Sequence, residues 1–210
     1  MDQYQILLKH SHTGDQSIVE IGLDEAGRGA LAGPVTVAAC IMPFGFQHEL
    51  IKDSKLLSEP QRAEARHMVL ENAIAWSVVH IPVEEIESTN ILKATLNGMK
   101  KCLDEVSAKT NFDFILVDGD QFHGYDGIPF ETVVGGDNTY VSIAAASILA
   151  KTERDRLMKD LSVDYMSYGW GSNKGYGTKQ HRDAILNEGA TQHHRQSFIS
   201  HMLTKTSTLF

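Results

Sequence analysis

Cysteine is scarce in this 210-residue chain, and a long hydrophobic run is missing altogether. The two cysteines, Cys40 and Cys102, lie in apolar or helix-patterned surroundings, with no CxxC pair and no histidine at metal spacing. A disulfide framework and a cysteine-bound zinc site are thereby excluded, and a reducing, cytoplasmic compartment with free thiols is the expectation. No basic segment followed by an apolar stretch opens the chain, and the uncharged run over residues 29–47 is broken by Gly33, Pro34, Pro43 and Gly45. Neither a signal peptide nor a membrane span is predicted. A GxxxxGK[ST] loop is absent, and the glycines from Gly27 to Gly33 fall one residue off the dinucleotide fingerprint, which disfavours a nucleotide-cofactor fold. Positive charge is in deficit too: 19 Lys and Arg stand against 27 Asp and Glu, a net charge of -8, so bulk attraction to a polyanion is excluded for the chain taken whole.

What is present reads as one globular domain, with 42% hydrophobic and 22% charged residues and neither an internal repeat nor a low-complexity tract. The charge is unevenly divided. Before Val141 there are 10 basic and 21 acidic residues, net -11; from Val141 onward there are 9 and 6, net +3. The acidic part is either a solvated surface or includes carboxylates gathered around metal ions.

Residues 1–17 are polar and predict an N-terminal arm or frayed lead-in. β-branched and apolar runs predict strands over 18–23, 35–42, 75–81, 112–117 and 131–134. Ser58, followed by Glu59 and Pro60, caps a helix to about Asn72; apolar spacing gives an amphipathic helix over 90–109, and small apolar residues give a buried one over 139–161. The glycine-rich stretch 168–178 predicts irregular structure, and 179–188 a short helix stopped by Gly189. The whole is an α/β layered sheet in a single domain, residues 18–210, whose part from about residue 160 is helical.

Three strand ends deliver carboxylates. Asp24 and Glu25 follow the first strand, Asp118 follows another, and Asp137 follows Gly135-Gly136 after a third. Asp before Gly is ordinary turn chemistry at any one site, but the joint pattern with an adjacent Asp-Glu pair suits hard cations, which take oxygen ligands. Two such ions can activate water and stabilise a leaving oxygen in displacement at phosphorus. Asp24 and Glu25 share a metal only if the strand bends or ends there, since successive side chains alternate faces; Ala26-Gly27 is the expected break. Gly27-Arg28-Gly29 lets backbone N–H groups approach a phosphate, with Arg28 as a charged fork. Asp53-Ser54-Lys55 offers a hydroxyl and an ammonium, or a capped turn. Lys151, Arg154 and Arg156 are either a solvated helix end or phosphate contacts. Lys174 and Tyr176 place a cation and a ring in a glycine loop that suits a nucleotide or an ordinary surface. His193-His194-Arg195 lacks further ligands for zinc and is structural or phosphate-facing.

These residues resemble the type 2 ribonuclease H family, ribonuclease HII, from Val19 to Ile199. The resemblance runs through GLDEAGRGALAGPV at 22–35, KDSKLLS at 52–58, EIESTNILKAT at 85–95, VDG at 117–119, GGD at 135–137, SIAAASILAKTERD at 142–155, NKGYGT at 173–178 and GATQHHRQSF at 189–198. It implies a ribonuclease H-like fold, a mixed five-stranded sheet flanked by helices, with a helical C-terminal part completing a substrate groove. It implies hydrolysis of the RNA strand of RNA/DNA hybrids and incision 5′ of ribonucleotides embedded in duplex DNA, leaving 3′-hydroxyl and 5′-phosphate ends, with two Mg²⁺ or Mn²⁺ ions. By motif, the family's metal-binding acids fall on Asp24, Glu25, Asp118 and Asp137, its GRG loop on Gly27, Arg28 and Gly29, and its junction-reading tyrosine on Tyr176. Ser54, Lys55, Lys151 and Lys174 are expected to contact substrate, with Arg195 a further groove candidate. A monomer is expected. The tail with Leu203, Leu209 and Phe210 is either a helix end or a docking point for a replication-associated protein.

Four positions depart from the family pattern: Ala30 and Gly177 stand where proline is usual, Leu56 where lysine is, and Glu87 where aspartate is. The two missing prolines are expected to loosen the loops that read the junction. Two alternatives follow: a hybrid nuclease with little junction preference, and a non-catalytic module that binds hybrids or a replication partner through the basic C-terminal region.

Overall fold

Seven residues buried at every position need cover on both faces, and Val35–Ile41 meets that need as an interior strand, β2, of a five-stranded sheet. The computed structural model of the protein describes residues 8–204. β1 is Glu20–Ala26, β3 Ala75–Ile81, β4 Phe114–Asp118 and β5 Phe130–Val133, in the spatial order β3-β2-β1-β4-β5. β1, β2 and β3 are antiparallel neighbours, whereas β1, β4 and β5 run parallel. The mixed sheet is the architecture that the family resemblance implied.

Helices cover both faces. α1 (Glu59–Asn72) starts from a capping box in which Ser58 and Gln61 satisfy each other's backbone N–H groups, as the sequence predicts. α2 is Val83–Ser88, and α3 (Ile91–Ser107) lays Met99, Cys102, Leu103 and Val106 on one face of the sheet. On the other face α4 (Val141–Leu161) is buried throughout its first ten residues. Its small side chains let it approach β1 so closely that a Cβ at Gly22 would stand 2.3 Å from the Ser142 carbonyl carbon. α5 (Trp170–Asn173), α6 (Lys179–Glu188) and α7 (Gln196–Thr204) build a second core around Tyr168, Trp170, Ile185 and Ile199. Among the described residues no helix is long and apolar enough to cross a membrane. Both cysteines are buried free thiols.

Four details differ from the sequence reading. β1 starts later than Ile18 and continues past Leu23, because pairing of Glu25 with Val37 and of Ala26 with Thr36 carries the ladder through both carboxylates. α2 has no apolar period long enough to announce it, although Pro82 at its N-cap and Glu84 and Glu85 in its first turn are start signals. The stretch 168–178 is partly regular: burial of Trp170 stabilises α5, entered through left-handed Gly169. From Leu8 onward the N-terminal arm is docked. Lys9 exchanges backbone hydrogen bonds with Thr139 and Val141, and Glu20 accepts from the Ser11 and Thr13 hydroxyls and from the N–H groups of His12 and Thr13.

Two fully buried arginines join the β1–β2 loop to the C-terminal part. Arg154 donates to the carbonyls of Pro34 (2.9 Å), Ala32 (3.2 Å) and Lys174 (2.9 Å). Arg195 donates to Gly33 through two nitrogens (3.0 and 2.8 Å) and to Arg28 (2.8 Å). Neither is a solvated helix charge or a phosphate contact, because each guanidinium is consumed by backbone acceptors. The loops that carry Ala30 and Gly177, where the missing prolines are expected to loosen the chain, are bridged by backbone hydrogen bonds. Leu31 N–H donates to Gly175, Gly33 N–H to His193 and Arg195 N–H to Leu31, each at 2.8 Å, so hydrogen bonds do what proline does elsewhere. Glu87, another departure from the family pattern, accepts from Ser197 N–H and hydroxyl at the start of α7.

The second core contains a histidine pair that gives a pH test. His194 is buried beside His181, and burial, with the neighbouring His181, pushes it down from 6.5 to about 4. The unfolded chain therefore binds more protons than the folded one between these values. The stability that neutral His194 contributes is complete above about pH 6.5 and is lost as pH falls toward 4. Urea unfolding across that range, compared with His194→Asn, should show the wild type losing roughly 2–3 kcal/mol relative to the variant. A flat difference contradicts the assignment.

Candidate active site

Parallel strands end at the same level, and this sheet uses that property to assemble acids from distant sequence. The register Leu23 with Val117 places Asp24 on β1 level with Asp118 on β4, and Asp118 pairs with Val133 on β5. The turn Gly136–Asn138 after β5 then carries Asp137. Left-handed Gly135 permits the turn, and Asp118 fixes it by accepting Gly136 N–H at 2.8 Å.

Burial and mutual repulsion dominate the electrostatics. Burial, then the Glu25 and Asp118 charges, hold the Asp24 carboxyl well above the usual carboxylate range. Burial raises Glu25 as well, opposed by Arg28, whose guanidinium lies 3.3 Å from it. Asp137 is raised by burial and by Asp118, and its Oδ2 is buried without a hydrogen bond, 3.5 Å from the Lys55 ammonium. Burial alone would lower Lys55, but Asp137, Asp53 and Asp24 outweigh it and raise it. Among the described residues no three His, Cys, Asp or Glu side chains form a ready metal cage. Each carboxylate is turned to a protein partner: Asp24 to Glu25 N–H at 2.6 Å and to Ser147, Glu25 to Arg28, Asp118 to Gly136, and Asp137 to Asn138.

A cavity of about 420 Å³ opens beside Asp24 and Glu25, bordered also by Gly27, Arg28, Gly29, Ser54, Lys55, Ser147, Lys151 and Tyr176, whereas Asp118 and Asp137 do not line it. Both Asp24 and Glu25 reach it although β1 ends only at Ala26, so the expected break comes one residue later than both acids need. Asp53-Ser54-Lys55 is at once a capped turn, with Asp53 accepting Lys55 N–H, and part of the cavity wall. Lys151 is paired with Asp155 at 2.6 Å. Half-exposed Tyr176 has the Arg154 guanidinium 5.4 Å from its ring centroid. Lys174 is not brought into the cavity. It is buried and its ammonium donates to the Gly171 carbonyl, so it is no substrate contact; the same holds for Arg195. Ser147, whose hydroxyl meets that of Ser54 at 3.1 Å, escaped notice because a serine in an apolar helix carries no distinctive pattern. A larger cavity, about 670 Å³, lies between α1, β3 and α4, but its Arg66 and Arg156 are paired with Glu153 and its Lys159 with Glu59, while Arg62 donates to the Ser54 and Leu57 carbonyls.

A family model described as Ribonuclease HII matches residues 21–201. The chain belongs to the ribonuclease HII family. A curated Ribonuclease HII from Salinibacter ruber is 52% identical over 180 residues, covering 84% of this chain and 89% of that protein. Another, from Bacteroides thetaiotaomicron, is 47% identical over 184 residues, covering 88% and 91%. The crystal structure of Bst-RNase HIII in complex with Mn²⁺ superposes with a TM-score of 0.74 at 20% identity, covering 94% of this chain and 72% of that one, and shows the shared fold. This ribonuclease HII family member is therefore a nuclease.

The acid cluster is a source of instability. Asp24→Asn keeps the acceptor for Glu25 N–H and Ser147 while removing a repelling charge. It should raise stability at pH 8 by roughly 0.5–2 kcal/mol and abolish nuclease activity; a less stable variant in thermal melting contradicts the repulsion argument. The two loop glycines separate in the same assay. Gly27 is left-handed, with a Cβ position 1.9 Å from Arg154 Nε, whereas a Cβ at Gly29 meets nothing within 4 Å. Gly27→Ala should cost roughly 2 kcal/mol or more and Gly29→Ala under about 0.5 kcal/mol.

Proposed function

We propose that the protein is an endoribonuclease that hydrolyses the RNA strand of RNA/DNA hybrids and incises 5′ of a ribonucleotide embedded in duplex DNA, leaving 3′-hydroxyl and 5′-phosphate ends. The observation that carries the reading is the raised carboxylate pair Asp24 and Glu25 in the wall of an open cavity with a cationic rim, backed by the raised Asp137 beside Lys55. The donors of these acids are all oxygen, and one of them, Asp137 Oδ2, is buried without a hydrogen bond, which suits Mg²⁺ or Mn²⁺. Asp24, Glu25, Asp118 and Asp137 would hold two such ions. Bound there, the ions supply charge neutralisation and an activated water for in-line displacement at phosphorus.

The remaining roles belong to the chain. Arg28, with its side chain nearly half exposed, presents a guanidinium to phosphate, and Gly29 leaves room for a backbone to approach. Lys55 and Lys151 stand on the cavity wall as further cations, and Ser54, buried with its hydroxyl against that of Ser147, is part of that wall. Tyr176 and the Gly27–Gly29 loop face one cavity, so a ribose placed between them meets a ring on one side and backbone amides on the other, and its 2′-hydroxyl is what distinguishes RNA from DNA. Pinned loops favour junction reading over a nuclease with little preference, because discrimination needs surfaces held in place.

Duplex DNA carrying one ribonucleotide should be cut 5′ of it with Mg²⁺ or Mn²⁺ and left intact with EDTA. Tyr176→Ala should lower cleavage of that duplex more than cleavage of a long hybrid. Uncut substrate with either metal refutes the activity, and equal losses on both substrates refute the role of Tyr176.

A further inference from the structure

Tyr176 is held at two points by buried side chains that do not line the cavity. Its carbonyl lies 3.0 Å from His181 Nδ1, and its ring packs against the guanidinium of Arg154. His181 Nε2 faces two groups, Trp170 Nε1 at 2.9 Å and His194 Nε2 at 3.1 Å. Indole nitrogen only donates, so His181 Nε2 must accept. At the far end Thr191 N–H donates to His194 Nδ1 at 2.9 Å, which leaves the proton of neutral His194 on Nε2, aimed at His181 Nε2, whose single lone pair the indole and His194 N–H groups share as a three-centre bond. With Nε2 accepting, the single proton of His181 sits on Nδ1 and is donated to the Tyr176 carbonyl. Every bond in the chain thus requires one tautomer of each ring. Both histidines and Trp170 are buried, so water does not substitute for a lost partner.

We propose that His181 is a positioning residue for Tyr176, setting through its Nδ1–H how strongly an embedded ribonucleotide is preferred over a continuous hybrid. This rests on the reading that Tyr176 meets the ribonucleotide. No part of the relay touches the carboxylate cluster, so its loss acts on discrimination before it acts on phosphodiester hydrolysis.

Two near-isosteric variants separate positioning from packing. In His181→Asn the amide nitrogen stands near the place of Nδ1 and keeps the bond to the Tyr176 carbonyl, while the acceptor for Trp170 and His194 is lost. In His181→Gln the longer side chain restores the acceptor and loses the Nδ1 donor. The measured quantity is kcat/KM on duplex DNA with one ribonucleotide divided by kcat/KM on a long RNA/DNA hybrid, with a thermal melt of each variant. His181→Gln should lower the ratio about tenfold and His181→Asn by under about threefold, whatever their order of stability. Equal ratios for the two variants, or an unchanged ratio in His181→Gln, overturn the proposal. Tyr176→Ala runs alongside: an unchanged ratio there overturns the reading of Tyr176, whereas a changed ratio beside an unaffected His181→Gln overturns the relay alone.

Discussion

The structure depends on two buried guanidinium groups that have backbone for company and no carboxylate. Arg154 and Arg195 between them donate to the carbonyls of Pro34, Ala32, Lys174, Gly33 and Arg28. A buried charge without hydrogen bonds is costly, so each arginine enforces the loop geometry that satisfies it. Burial and the nearby Arg154 push Arg195 down to about 9, which still leaves it charged at neutral pH. Lysine cannot replace either, since its compact ammonium lacks the planar fork that reaches several carbonyls at once. The consequence is spatial. The Gly27–Gly29 loop comes from the first strand connection and Tyr176 from the C-terminal part, and the arginines make them two walls of one cavity.

The acid cluster imposes the opposite demand. Asp24, Glu25 and Asp137 sit where burial and like charge disfavour ionisation, so this end of the sheet weakens the fold as pH rises through their titration. The surrounding sheet tolerates the strain because its central strands are buried on both faces and α4 packs directly on the Gly22 backbone. Stability is concentrated in the strands and the arginine clamp, and the carboxylates spend part of it at the strand ends.

Much of this was legible in the sequence, for identifiable reasons. Ser58 announced a helix start because its side chain caps that helix, as those of Asn90 and Thr178 also do for theirs. Asp24, Glu25, Asp118 and Asp137 were legible because each follows or ends an apolar run, and strand ends in a parallel sheet meet. The roles of the basic residues were not. Arg154 lies among Lys151 and Arg156 in a charged helical segment, and nothing local shows that one turns inward to carbonyls more than a hundred residues away. His194 and Arg195 were left between a structural and a phosphate-facing role for the same reason, and both are buried. α2 failed for want of length: six residues carry too few apolar positions to define a period.

That inward turn changes the electrostatic argument about substrate. The segment from Val141 carries 9 basic and 6 acidic residues. Three of those cations, Arg154, Lys174 and Arg195, are buried and bonded to backbone carbonyls, so the basic excess of that third is internal wiring and not a surface field. What faces the cavity is a short row of cations, Arg28, Lys55 and Lys151, each beside an acid: Glu25, Asp137 and Asp155. Coulomb attraction from such paired charges fades within a Debye length, about 8 Å at physiological salt, and cannot draw a polyanion from afar toward a chain of net charge -8. Affinity must come from contact: neutralisation of the carboxylates, backbone amides at the glycine loop, and the held face of Tyr176. Under the proposed function, a protein built this way would recognise the sugar it touches more than the charge of the duplex, which is the selectivity that pinned loops and a fixed tyrosine are suited to provide.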